Sequence, residues 1–228
     1  MNFQRYIKNM DAFSREQVEI CLKKQAAVIG CGGLGGYVIS ALARFGIGSL
    51  ILVDGDTFVD SNLNRQLFSN SDTLGKNKAL SAKEALAKIN PDVEVTAIPE
   101  NLNMENASEI LKNSDVVVDC LDNIPSRLVL QNACKALEIP LIHGAIDGFF
   151  GQVSVVFPDD NTLDELYTEV ATDAEPHESQ GNPGFTPMLI GAIQAAEAIK
   201  LLTGMTKQCE RKLIIADLLN MEFDNVNI

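Results

Sequence analysis

Short apolar runs alternate along this chain with segments whose apolar residues return every three to four positions. The first pattern predicts buried strands and the second amphipathic helices, so their alternation predicts a parallel sheet flanked by helices. Residues 25–30 (QAAVIG) read as a first strand, and 34–45 as a helix entered through glycines. Residues 49–54 (SLILVD) read as a second strand that ends on an acid. In 75–89, Ala79, Ala82, Leu86 and Ile89 keep helical spacing, and Asn90-Pro91 supplies the stop. Residues 93–98 predict a third strand, 104–111 a short helix, 115–120 a fourth strand and 126–137 another helix. PLIHGAI (140–146) and GQVSVVF (151–157) predict two further strands.

The pattern then changes. From about residue 158 to 186 the chain is acidic and holds no lysine or arginine, which predicts a long crossover loop. Thr186-Pro187 fits an N-cap and a first-turn proline for a helix that runs to about residue 202, with Gly204 as its stop. Residues 212–218 predict a last strand. No internal repeat interrupts this order. The expectation is one α/β domain over residues 1–228: a Rossmann-like three-layer fold with a mainly parallel central sheet and antiparallel C-terminal strands.

Composition narrows the function. At 228 residues, 46% hydrophobic and 21% charged, the chain has the make-up of a soluble globular protein. Eighteen basic against 31 acidic residues leave a net charge of -13, which argues against a nucleic-acid surface because phosphate contacts need clustered cations. Cys21, Cys31, Cys120, Cys134 and Cys209 are odd in number and irregular in spacing, with no Cys-x-x-Cys pair. Buried thiols in a reducing cytoplasm are expected, rather than disulfides or a four-cysteine zinc site. Residues 1–11 lack the apolar core of a signal peptide. Residues 26–43 carry no charge over 18 positions, but their glycines and strand-loop-helix pattern oppose a membrane span.

Candidate chemistry begins at Gly30-Cys31-Gly32-Gly33-Leu34-Gly35, a G-x-G-x-x-G loop between a predicted strand and helix. Such a loop brings backbone close to phosphate at a helix N-terminus. Asp54, ending the next strand, can accept hydrogen bonds from ribose hydroxyls. An NAD-dependent oxidoreductase would use the same two features. The polar run after the second strand, with Asp56, Asn62, Arg65 and Gln66, suits a triphosphate better, because a leaving pyrophosphate needs fixed positive and hydrogen-bonding groups. Lys78 opens a predicted helix where the dipole disfavours a cation, and a phosphate ligand would explain it. Asp122 and Asn123 follow the fourth strand, where a carboxylate can hold Mg²⁺ beside a nucleotide.

The succession GCGGLGG, VDGDTFVDSNLNRQ, GKNK and CLDN, followed by TPMLIGAIQAAEAIKLLTG and KLIIADLLNMEF, resembles the MoeB/ThiF/HesA (ubiquitin-activating-enzyme-like) adenylating family over residues 5–223. The resemblance implies ATP-dependent adenylation of a carboxylate, the C-terminal glycine of a small ubiquitin-like carrier (ThiS/MoaD-like), with pyrophosphate released. It implies that Asp54 holds the ribose, that Asn62, Arg65, Gln66 and Lys78 handle phosphates, and that Asp122 binds magnesium. It also implies a homodimer whose N-terminal segment reaches the neighbouring site. There the family's arginine is replaced by Lys8, a point charge without the arginine fork.

Two other departures follow. The family's paired Cys-x-x-Cys motifs are missing, so no zinc is expected, and Ser179 falls near the place of a family cysteine. Cys209 is read as structural, His143 as core and His177 as solvated. A tRNA-modifying relative (threonylcarbamoyladenosine dehydratase-like), a non-catalytic nucleotide-binding protein and the oxidoreductase stay open as alternatives.

Overall fold

The chain opens on elements that the apolar pattern did not reveal. In a computed structural model describing residues 3–173, 181–205 and 211–228, residues 3–9 form a 3₁₀ turn and Arg15–Cys21 forms helix α1. Ser14 caps α1 reciprocally with Gln17: the Ser14 hydroxyl accepts from the Gln17 N–H, and the Gln17 carbonyl accepts from the Ser14 N–H. The alternating units then follow as expected: β1 (Gln25–Ile29), α2 (Gly33–Phe45), β2 (Ser49–Val53), α3 (Lys78–Ile89), β3 (Glu94–Ile98), α4 (Ala107–Leu111), β4 (Val116–Asp119), α5 (Ile124–Ala136) and β5 (Leu141–Asp147). After them come β6 (Phe150–Val156), α6 (Thr162–Asp173), α7 (Phe185–Leu202), β7 (Lys212–Asp217) and β8 (Glu222–Asn227).

One sheet gathers the strands in the order β3-β2-β1-β4-β5-β6-β7-β8. β1 to β5 pair in parallel, and β5 to β8 in antiparallel. Because successive strand residues point to opposite faces, each apolar run feeds two cores. Ala26 and Val28 pack with Val38 and Leu42 of α2, Ala82 and Leu86 of α3, and Ile190 and Ala198 of α7. Ala27 and Ile29 pack on the other face with Leu111 of α4, Leu130 of α5 and Leu163 of α6. The result is helices, sheet, helices.

α7 is long and apolar enough to cross a membrane by composition, yet it lies against β5 and β6. Its buried Gln194 donates to the Asp119 and Ile142 carbonyls at 2.7 and 3.3 Å, a contact that only the sheet can supply.

The fold corrects the sequence reading in three places. The acidic stretch is not wholly loop, because its first half forms α6, held to α5 by Gln131, which donates to Asp164 and accepts from the Leu163 N–H. The α7 cap is Gly184, not Thr186, whose hydroxyl instead donates to the Gly148 carbonyl at 2.8 Å. β8 is an added edge strand, exposed along its whole length and specified by pairing with β7 rather than by an apolar face. Ser179, His177 and Cys209 lie outside the described residues.

The N-terminal turn is tied down by Asn90, which is 1% exposed. Its amide donates to the Ala43 carbonyl at 2.7 Å and to the Tyr6 hydroxyl at 3.1 Å, and its carbonyl accepts from Arg5. Asn90→Ala strands the buried Tyr6 hydroxyl and Ala43 carbonyl, so a loss of about 2–3 kcal/mol in denaturant unfolding is expected.

Candidate functional site

β1 lies between β2 and β4, so the chain leaves it first to one side and later to the other. A crevice opens at the carboxyl ends of strands at such a switch point. Here it is a cleft of about 640 Å³. It brings together Gly30, Gly32, Gly33, Asp54, Asp56, Arg65, Gln66, Lys78, Asp122 and Asn123, residues separated by as many as 93 positions in the chain.

The glycine loop is shaped by close approach. A Cβ on Gly30, whose φ is +95°, would lie 2.5 Å from the Cys120 carbonyl oxygen. Asp54 braces the loop: its carboxylate accepts from the Cys31 N–H at 2.7 Å and from the Asp56 N–H at 2.8 Å. Burial pushes the Asp54 pKa up, while those two N–H groups and the Lys78 charge pull it down. Each carboxylate oxygen keeps a lone pair for a further donor.

Lys78 is the first residue of α3, which has no acid in its first turn. Its stem is buried and its Nζ lies 2.9 Å from the exposed Asp56 carboxylate. Asn77 fixes the place by capping α3 through the Leu80 N–H while donating to the Asp54 and Asp56 carbonyls. Arg65 extends past Gly33, and its NH1 is tethered to Ser61 O and Asn64 Oδ1. Asp122 is exposed at the rim, and Asn123 caps α5 through the Ser126 N–H at 2.9 Å.

Three expected residues stand elsewhere. Asn62 does not line the cleft: it is buried, and its side chain accepts from the Val59 N–H at 3.0 Å, so it shapes the loop that presents Arg65. Gly35 lies behind the loop, where α2 meets the Gly30 carbonyl. Lys8 is exposed on the N-terminal turn, outside the lining.

Arg127 and Asn182 also line the cleft, and sequence reasoning missed both. Arg127 lies one helical turn beyond Asn123 and reads as a surface charge, but it is buried. Gln66 Oε1, Asn182 Oδ1 and Arg127 Nε are buried without a hydrogen-bond partner, which suits a cleft that receives a polar ligand. Cys31 lies within the glycine loop and Cys120 beside it, and burial holds both thiols well above their ordinary range, so neither offers a thiolate at neutral pH. Among the described residues no three His, Cys, Asp or Glu side chains cluster to hold a metal. Magnesium on Asp122 would draw its other ligands from phosphate oxygens and water, a coordination that the ion favours.

Over 219 residues the chain is 36% identical to the SAMP-activating enzyme E1 of Haloferax volcanii, covering 95% of this chain and 81% of that one. It is 33% identical over 208 residues to the sulfur carrier protein ThiS adenylyltransferase of Escherichia coli, covering 90% and 83%. Among solved structures, E. coli MccB with ATP superposes at a TM-score of 0.81 with 21% identity, covering 98% of this chain and 70% of that one, a likeness of fold. Residues 3–228 match the ThiF family, and the chain belongs to it.

Proposed function

We propose that this protein uses ATP to adenylate the C-terminal carboxylate of a small ubiquitin-like sulfur carrier protein. The observation that carries the reading is the convergence of Arg65, Gln66, Lys78 and Asp122 on one glycine-loop cleft that Asp54 also lines. The names of the E. coli and H. volcanii relatives support the carrier as substrate.

In the reaction a carboxylate oxygen attacks the α-phosphorus of ATP. The bond from that phosphorus to the bridging oxygen breaks, its electron pair leaves with pyrophosphate, and a mixed anhydride with AMP remains. No protein nucleophile is required, so positioning and charge neutralisation carry the catalysis. Asp54 orients the ribose, and the backbone of the glycine loop meets the phosphates. Arg65 and Lys78 meet the charge that grows on pyrophosphate. Magnesium held at Asp122 would neutralise part of the same charge.

A homodimer belongs to this reading. Arg5 is committed to Asn90 of its own chain, which leaves exposed Lys8 as the cation that a second copy could offer.

The test is ATP–pyrophosphate exchange with purified carriers that end in Gly-Gly, beside direct titration with ATP and NADH. Exchange that depends on one carrier supports the reading. Absence of exchange with every carrier opposes it, and NADH binding without ATP binding would favour an oxidoreductase.

A further inference from the structure

Beneath the cleft a chain of buried polar side chains runs from α6 to the turn that carries Asp122. Asp119 and His143 are fully buried register partners on β4 and β5. His143 Nδ1 lies 2.7 Å from Asp119 Oδ2, and His143 Nε2 lies 3.1 Å from the Tyr167 hydroxyl on α6. That hydroxyl accepts from Arg127 NH1 at 2.9 Å, while Arg127 NH2 donates to the Leu121 carbonyl at 2.8 Å. The other Asp119 oxygen accepts from the Leu121 N–H at 3.0 Å.

Hydrogen-bond direction is fixed throughout. Arginine only donates, and Gln152 Nε2 donates to the same hydroxyl at 3.4 Å, so the Tyr167 hydroxyl, with both lone pairs taken, gives its own proton to His143 Nε2. His143 then carries its proton on Nδ1 and donates it to Asp119. Burial raises the Tyr167 pKa, which keeps that phenol a donor. Both polar atoms of Leu121, the residue before Asp122, are thus held by this chain of bonds.

We infer that Tyr167 and Arg127 are positioning residues: they hold Leu121, and through it aim Asp122 at the metal–phosphate end of the bound nucleotide. The inference rests on the proposed function, which puts magnesium on Asp122. It adds that α6, inside the acidic crossover, forms part of the nucleotide site although it does not line the cleft. Of these residues Arg127 and Leu121 reach the lining, while Asp119, His143 and Tyr167 lie behind it.

The experiment measures ATP affinity by calorimetry in magnesium and in EDTA, for wild type, Tyr167→Phe, Arg127→Gln and Gln131→Met. Gln131 also ties α5 to α6, through Asp164 and Leu163, but makes none of the contacts above. Groups that orient a metal ligand change metal affinity by about 10–100-fold when removed. Arg127→Gln is therefore expected to reduce the magnesium-dependent gain in ATP affinity about tenfold, and Tyr167→Phe about threefold. ATP affinity in EDTA should stay at the wild-type value in Tyr167→Phe, the magnesium gain of Arg127→Gln is taken relative to its own affinity in EDTA because Arg127 lines the cleft, and Gln131→Met should keep the full magnesium gain.

A magnesium gain unchanged in Tyr167→Phe and Arg127→Gln would overturn the inference while leaving the adenylation reading intact. An equal loss in Gln131→Met would overturn it too, since loosened α6 packing would then suffice. Wild type without magnesium-linked ATP binding would overturn the metal assignment, and this inference with it.

Discussion

Lys78→Ala is expected to lower carrier-dependent ATP–pyrophosphate exchange by about 10²–10³-fold, the usual loss when one preorganised donor to a developing charge is removed. ATP affinity should weaken at least tenfold alongside it. The size of the effect follows from what else the cleft can offer. Arg127 spends two nitrogens on Leu121 and Tyr167, and Arg65 spends one on its own loop. Among the described residues Lys78 makes its ion pair with Asp56, an exposed carboxylate that a triphosphate can outcompete. It also stands at a helix N-terminus with no acid in the first turn, so both the lysine and the positive end of the α3 dipole face an incoming anion. Removing it strands no buried partner, because Asp56 stays in water, and the melting temperature should hardly move. Lys78→Arg should recover only part of the rate, since a guanidinium needs more room than a buried stem leaves. ATP affinity equal to wild type in a folded Lys78→Ala protein would refute the phosphate role and, with it, the adenylation reading.

Several residues that converge on the cleft were legible because they sit at the end of a strongly apolar strand. Gly30 follows β1, Asp54 follows β2, and Asp122 lies just past β4, so strand recognition alone places them on one edge of a parallel sheet. What stayed hidden depended on partners distant in sequence. Arg127 has the spacing of any exposed helical arginine, and its partners, among them the Tyr167 hydroxyl forty residues on, mark it as interior. α6 is acidic enough to look like solvated loop, and Gln131 on another helix secures it. β8 has no apolar face, so its register came only from β7. Asn62 shows the opposite error. The motif put it among phosphate ligands, but its amide completes a 3₁₀ turn, Asp60–Asn62, just before Arg65. α1 could have been found, since Ser14-x-x-Gln17 is a capping box written in the sequence.

The glycines of one motif should separate sharply on substitution. A Cβ at position 35 would lie 1.9 Å from the Gly30 carbonyl oxygen and 2.8 Å from its carbon, both backbone atoms. No rotamer change relieves that overlap, so α2 must slide away from the end of β1. α2 cannot retreat freely, because Gly191 of α7 already leaves only enough room for close helix packing: a Cβ there would meet the Leu34 carbonyl at 3.0 Å. Gly35→Ala is therefore expected to cost about 3 kcal/mol or more. For a chain of this size that is a fall of about 6–12 °C in melting temperature, and nucleotide binding should go with it as the loop moves. Gly33 differs physically. Its added Cβ would find ordinary van der Waals contact, 3.6 Å from Pro187, so Gly33→Ala should melt within about 1 °C of wild type. It lines the cleft, and the new methyl would stand where phosphate approaches backbone, so ATP affinity should still fall. Thermal melts with and without ATP separate the two. A normal melt for Gly35→Ala would mean that α2 and β1 are not in fixed contact, and Gly33→Ala binding ATP as tightly as wild type would mean that the phosphates lie elsewhere in the cleft.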